Sequence, residues 1–162
     1  MLWKLVLEGL LLGALLLAFC ALGIRNGAVN LVFLYHMDVQ DRCVRLGLSS
    51  WEKIRRGKRL FSCFAVVWLL LAPACVYGLN GARGFAQGFW QLLAVLETAN
   101  LVDRLLIDEY WVCRTRAWII PGTEDQRPYI TTQEKYKKWF ASVPGFAALS
   151  ALFAGIMALV LK

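Results

Sequence analysis

Residues 60–79 read LFSCFAVVWLLLAPACVYGL, a run of 20 residues with no charge. A helix crossing the hydrocarbon core of a bilayer needs about 20 predominantly apolar residues, so this run predicts a membrane span. Three further segments match it: Leu5–Ile24, interrupted only by Glu8; Phe85–Ile107, apolar first and then carrying Glu97, Asn100, Asp103 and Arg104; and Trp139–Leu161, uncharged and rich in small residues. A transmembrane barrel shows alternating ten-residue stretches instead, and none is present. The expected fold is all-α, a single four-helix transmembrane bundle over 1–162 with spans 5–24, 60–79, 85–107 and 139–161. Connections 25–59 and 108–138 are expected to carry helical extensions of the first and third spans.

Composition agrees with this. Apolar residues make up 59% of the 162, above the roughly 45–50% of soluble domains, and the mean hydropathy is +0.56. The net charge of +7 is therefore assigned to a membrane surface with anionic headgroups and not to nucleic acid. The balance excludes a disordered chain or a small disulfide scaffold. The first segment is read as a retained helix and not a cleaved leader, because Phe19 is bulky where a small residue is needed and Glu8 interrupts the apolar run.

Lys and Arg set the expected orientation. Eight lie between the first two spans and six between the last two, against Lys4, Arg83 and Lys162 on the other side. Both long connections are thus expected in the cytoplasm and both termini outside, in the plasma (inner) membrane. Within the first connection, residues 28–46 read as a helix, on which the first span would run without a break. Asp38–Arg42 and Asp41–Arg45 are spaced as i,i+4 pairs, and Gly47 is placed to end that helix. Ser49 stands three residues before Glu52, a capping-box spacing opening a short basic helix to about Arg56. The second connection is expected to continue its helix to about Trp118, turn at Pro121-Gly122, and restart from a second capping box, Thr131 with Glu134.

Glu97, Asn100, Arg104 and Asp108 recur on one face of the third span. A charge at membrane depth costs about 2.5–3.5 kcal/mol, so each needs a partner or a watery cavity. Either they satisfy one another and clamp the bundle, or they line a cytoplasm-facing pocket for a polar head. Tyr35 and His36, the only histidine, join the candidate substrate-binding set, with Tyr110 and Arg127 from a stretch read as an interfacial helix or a lid over the mouth. A lone histidine with dispersed carboxylates gives no expectation of a metal site, and no cofactor is implied. The five cysteines lack Cys-x-x-Cys spacing, which argues against a redox dithiol. Phosphate-cradling and hydrolase motifs are absent from the sequence.

The helix–connection–helix–tight turn layout looks like the membrane proteins of eicosanoid and glutathione metabolism, which space Arg, Asn and Glu along their second helix. Here Glu97, Asn100 and Arg104 stand on the third span in reverse order. Arg127-Pro128-Tyr129 resembles part of the Arg-His-Pro and Tyr pattern of isoprenylcysteine and phospholipid methyltransferases, without the His. Both resemblances stop at architecture plus three residues, and neither assigns a family.

The leading expectation is a membrane-embedded binding or catalytic protein whose pocket takes an amphipathic or lipid-like molecule. One alternative is a small homo-oligomeric transporter or channel using Glu97 as its coupling carboxylate; another is an accessory subunit of a membrane complex. The outer halves of the helices offer only Glu8, Arg83, Gln87 and Gln91 as polar groups, which favours a one-sided pocket. Small residues Ala147, Ala151, Ala154, Gly155 and Ala158 suit close helix packing, within one bundle or between copies.

Overall fold

The computed structural model describes residues 1–161, of which no part forms a strand. The chain is all-α, 81% helical. Its elements are α1 (Leu2–Ile24), a 3-10 helix (Ala28–Leu34), α2 (Met37–Arg45), α3 (Trp51–Pro73) prolonged by π-helical Ala74–Leu79, α4 (Gly84–Leu101) prolonged by π-helical Val102–Val112, a 3-10 turn (Glu124–Gln126) and α5 (Thr132–Val160). Three helices are long and apolar enough to cross a membrane: Leu2–Ile24, Trp51–Leu79 and Thr132–Val160.

The fourth long helix, α4, is less apolar than those three, carrying Gln87, Gln91, Glu97 and Asn100, and it sits at the centre. It packs on α1, α3 and α5, and Gly88, Gln91, Leu92, Val95, Leu96, Ala99 and Asn100 are buried along it. A helix enclosed by protein can carry amides and a carboxylate that a lipid-facing helix cannot. Its approach to α1 is close. A Cβ at Gly9 would lie 2.5 Å from Thr98 Cβ and 2.6 Å from the Val95 carbonyl, and one at Gly13 would lie 2.6 Å from Val102 Cβ. The pair Gly9-x-x-x-Gly13 is thus the small-residue seam of the bundle, whereas a Cβ at Gly155 meets nothing within 4 Å.

Two cores result. One lies within the bundle, around Leu12, Val76, Leu92, Val95, Leu96 and Ala154. The other is built at the far ends of α1 and α4 by the connections, around Val32, Tyr35, Val39, Cys43, Ile54, Ile107, Trp118, Ile120 and Tyr129. The connections are a packed layer closing one end of the bundle.

Several local expectations need correction. The first helix does not run on into residues 28–46: it stops at Ile24, the chain turns at Gly27 with φ of 111°, and the following segment is 3-10 up to an extended Tyr35. Only Gly in an L-chain adopts such a φ freely. Gly47 ends α2 as expected, in a Schellman arrangement with Gly47 N–H donating to Val44 O and Leu48 N–H to Cys43 O. The cap of α3 is Ser50, not Ser49; its hydroxyl accepts from Lys53 N–H at 3.3 Å. The basic stretch after it is no separate helix but the first two turns of α3. The π-helical part of the α4 extension ends at Val112 and helix ends altogether at Arg114, short of Trp118. Thr131 and Glu134 form the full reciprocal capping box at the start of α5.

Candidate functional site

The π-helical segment Val102–Val112 decides the site's geometry. With i→i+5 bonding, residues four and five apart share a side, whereas an α-helix brings together residues three and four apart. Asp103 and Asp108 therefore come to one side, and Arg104 reaches both. Its guanidinium donates to Asp103 Oδ2 at 2.6 Å, pairs with Asp108, and donates from Nε to Asn100 Oδ1 at 3.4 Å. Asn100 in turn donates to Glu97 Oε2 at 3.0 Å. From α5, Lys138 Nζ donates to Asp108 Oδ2 at 2.9 Å, and Lys135 reaches Glu109 at 2.5 Å. The Lys135 hydrogen bond is the main reason the half-buried Glu109 carboxyl is held below its usual range, helped by Arg114.

A cavity of about 310 Å3 opens beside this cluster. Its apolar lining is Leu16 and Cys20 of α1, Phe61 of α3, and Ile107 and Val112 of the α4 extension. Its polar lining is Asp103, Arg104 and Asp108 with His36 and the α5 residues Glu134 and Lys138. Tyr35, Trp118, Tyr129 and Ile130 complete it from the connections. His36 Nε2 lies 2.6 Å from Glu134 Oε1, tying the first connection to α5. Tyr35 donates its hydroxyl to the Trp118 carbonyl at 2.5 Å, and its ring meets Tyr129 edge-on at 4.9 Å between centroids. Burial, with Tyr129 and Cys43 nearby, pushes the Tyr35 phenol up.

Of the eight sequence candidates, Tyr35, His36, Arg104 and Asp108 line this cavity. Glu97 and Asn100 stand behind it in the hydrogen-bonded chain, and Asn100 borders a smaller apolar cleft of about 130 Å3 with Leu16, Phe61 and Asp103. Tyr110 is 57% exposed and Arg127 is exposed; neither lines the cavity. The stretch around them does contribute to the lining, through Trp118, Tyr129 and Ile130; behind these, Ile120 and Thr123 are fully buried and Thr123 Oγ1 shares a 2.8 Å hydrogen bond with the Tyr129 hydroxyl. Arg42 reaches Asp125 there, at 3.9 Å, while Asp41 pairs with Arg45 at 2.6 Å.

Sequence reading missed Asp103, Glu134 and Lys138 as cavity residues. An α-helical wheel puts Asp103 on a neighbouring face, and only the π-helical register rotates it inward. Glu134 was legible as a cap, and its second carboxylate oxygen is the one left for His36. Arg104 is engaged by two carboxylates and an amide, so its task is to hold Asp103 and Asp108 in place. The lining is acceptor-rich, three carboxylates and an imidazole against two cations, among aliphatic and aromatic side chains; Asp103 and Asp108 are paired to Arg104 and Lys138, and Glu134 to His36. Among the described residues no group of three or more His, Cys, Asp and Glu side chains is placed to hold a metal ion.

The fold and site thus define an all-α chain with three helices fit to cross a membrane and an amphipathic cavity at one end of its central helix. No protein-family model, curated protein or solved structure matches the chain.

Proposed function

We propose that this is a four-span protein of the plasma (inner) membrane that binds an amphipathic or lipid-like molecule in a cytoplasm-facing cavity. The central position of α4 supports the fourth crossing. It follows α3 through a tight turn and packs along α1 and α5, so where those helices cross, α4 crosses with them, its amide Gln91 and Asn100 buried against the bundle and its apolar Phe85, Trp90 and Leu101 left exposed. The Lys and Arg excess of the two long connections supports placing them in the cytoplasm against anionic headgroups, with both termini outside.

The single observation that carries the function is that one cavity, at the end of the bundle where the connections pack, is lined by both charged and apolar side chains. A guest's polar head would sit against Asp103, His36 and Glu134, its donors meeting carboxylate oxygens. Its tail would lie along Leu16, Cys20 and Phe61. A transporter using Glu97 is the second reading. It is supported by Glu97 Oε1 and Gln91 Oε1, buried without partners on α4, but Leu92, Val95 and Leu96 between them are fully buried.

Native mass spectrometry of the chain released from its own membrane into mild detergent tests the reading. One preferred amphiphile per chain is expected. Asp103→Asn should retain it about tenfold to a hundredfold less, the value of a charge-assisted hydrogen bond. A featureless ladder of bulk lipid, unchanged by the substitution, would refute it.

A further inference from the structure

A second cavity, of about 260 Å3, lies between the 3-10 helix Ala28–Leu34 and the first turns of α3. Its polar lining is Asn30, Ser49, Lys53 and Arg56, and its apolar lining includes Phe33 and Leu60. No carboxylate lines it, whereas three line the cavity at Asp103. Lys53, Arg56, Gly57 and Leu60 are spaced as one helix face. A Cβ at Gly57 would collide with the Phe33 ring, so Gly57 is what lets that ring form the floor. Followed along α3, this face presents two cations near the positive end of the helix dipole, then an aromatic and aliphatic floor.

The cations are uncompensated. The ion pairs of the described residues involve His36, Arg42, Arg45, Arg104, Arg114, Lys135 and Lys138. None involves Lys53, Arg55, Arg56, Lys58 or Arg59. Beside the groove, Leu48 and Trp51 are exposed, an apolar rim of the kind that sits at a bilayer surface.

We infer that this groove seats the phosphate of an anionic phospholipid between Lys53 and Arg56, with one acyl chain descending past Leu60. The inference rests on the membrane placement proposed above. The phosphate is the shared chemistry of a lipid head and a free anion, and the apolar floor and rim assign it to the lipid. Lys58 and Arg59 lie off this face, so the groove and the general basic surface can be told apart.

The full chain, reconstituted with phosphatidylglycerol and phosphatidylethanolamine, is released into mild detergent and its retained lipids are counted by native mass spectrometry. The parent should prefer phosphatidylglycerol. The Lys53→Ala/Arg56→Ala pair should lose that retention roughly thirtyfold, as expected for two cations near a charged head. The Lys58→Ala/Arg59→Ala pair, which removes equal charge off the groove, should lose less than about threefold. Equal losses for both pairs would overturn the groove in favour of a diffuse basic field, and displacement by excess inorganic phosphate would overturn the lipid assignment. Release of the chain from membranes by alkaline carbonate would remove the membrane placement itself. A membrane-embedded chain with no phosphatidylglycerol preference would remove only the groove.

Discussion

Gly9→Ala adds one methyl at the tightest point of the bundle, and its effect can be worked from distances. The new Cβ would sit 2.5 Å from Thr98 Cβ and 2.6 Å from the Val95 carbonyl oxygen, against about 3.5–4.0 Å for ordinary carbon contacts. The second neighbour is backbone, so no rotamer change relieves it, and α1 must move off α4 by roughly an ångström. Overpacking of this kind costs about 1–3 kcal/mol, partly offset by the helix preference of Ala over Gly, about 1 kcal/mol. Gly155→Ala keeps the preference and meets nothing within 4 Å, so it should be neutral or slightly stabilising. The preference cancels between the two, so they should differ by the overpacking alone, roughly 1–3 kcal/mol, which for a chain of this size is a Tm difference of roughly 2–12 °C. Thermal unfolding in mild detergent, followed by the fluorescence of the seven tryptophans, reads this directly. If Gly9→Ala and Gly155→Ala shift Tm equally, the α1–α4 seam is not where the structure puts it.

Arg104→Met leaves Asp103 and Asp108 facing each other with Lys138 alone in support, and should destabilise by about 3 kcal/mol; adding Asp103→Asn should recover part of that in the same melts, and strict additivity would argue against a shared guanidinium. Thr131→Ala removes the hydroxyl arm of the α5 capping box, leaving the backbone N–H of residue 131 on Glu134, and should cost about 1 kcal/mol, while Thr131→Ser restores it; equal Tm values for the two would contradict the cap. Tyr35 titrates above its ordinary 10.0 when folded, so the unfolded chain releases this proton first. Its contribution is complete below pH 10 and is lost as pH rises above it. Tyr35→Phe should therefore lower stability at neutral pH by about 1 kcal/mol, through loss of the bond to Trp118, yet flatten the alkaline decline; an unchanged alkaline limb would count against a buried phenol.

How far the sequence reached depended on the range of the interaction. Short-range signals were legible: Gly47 ends α2, Thr131 and Glu134 cap α5, and three apolar runs became the three long apolar helices. Gly9 and Gly13 could have been read as a small-xxx-small pair from spacing alone and were passed over for the alanines of α5, of which Ala154 is buried. The break after Ile24 was hidden because residues 28–46 have helix-compatible patterning, and the positive φ at Gly27 follows from packing the 3-10 segment under α3. The cavity was half legible. Tyr35, His36, Arg104 and Asp108 were named, but the register that turns Asp103 inward belongs to a π-helical stretch that no periodicity announces. Glu134 and Lys138 come from a helix 30 residues further on, joined to Asp108 and His36 only by tertiary folding.

If the cavity between Asp103 and Phe61 holds a guest, filling it should expel that guest. Val112→Trp fills it from the α4 extension without replacing a charged group, and native mass spectrometry of parent and variant, prepared alike, compares the amphiphile each retains. A folded variant is expected, with near-parental Tm, from which the preferred molecule is gone. Equal occupancy in parent and variant would show that no guest sits in the cavity.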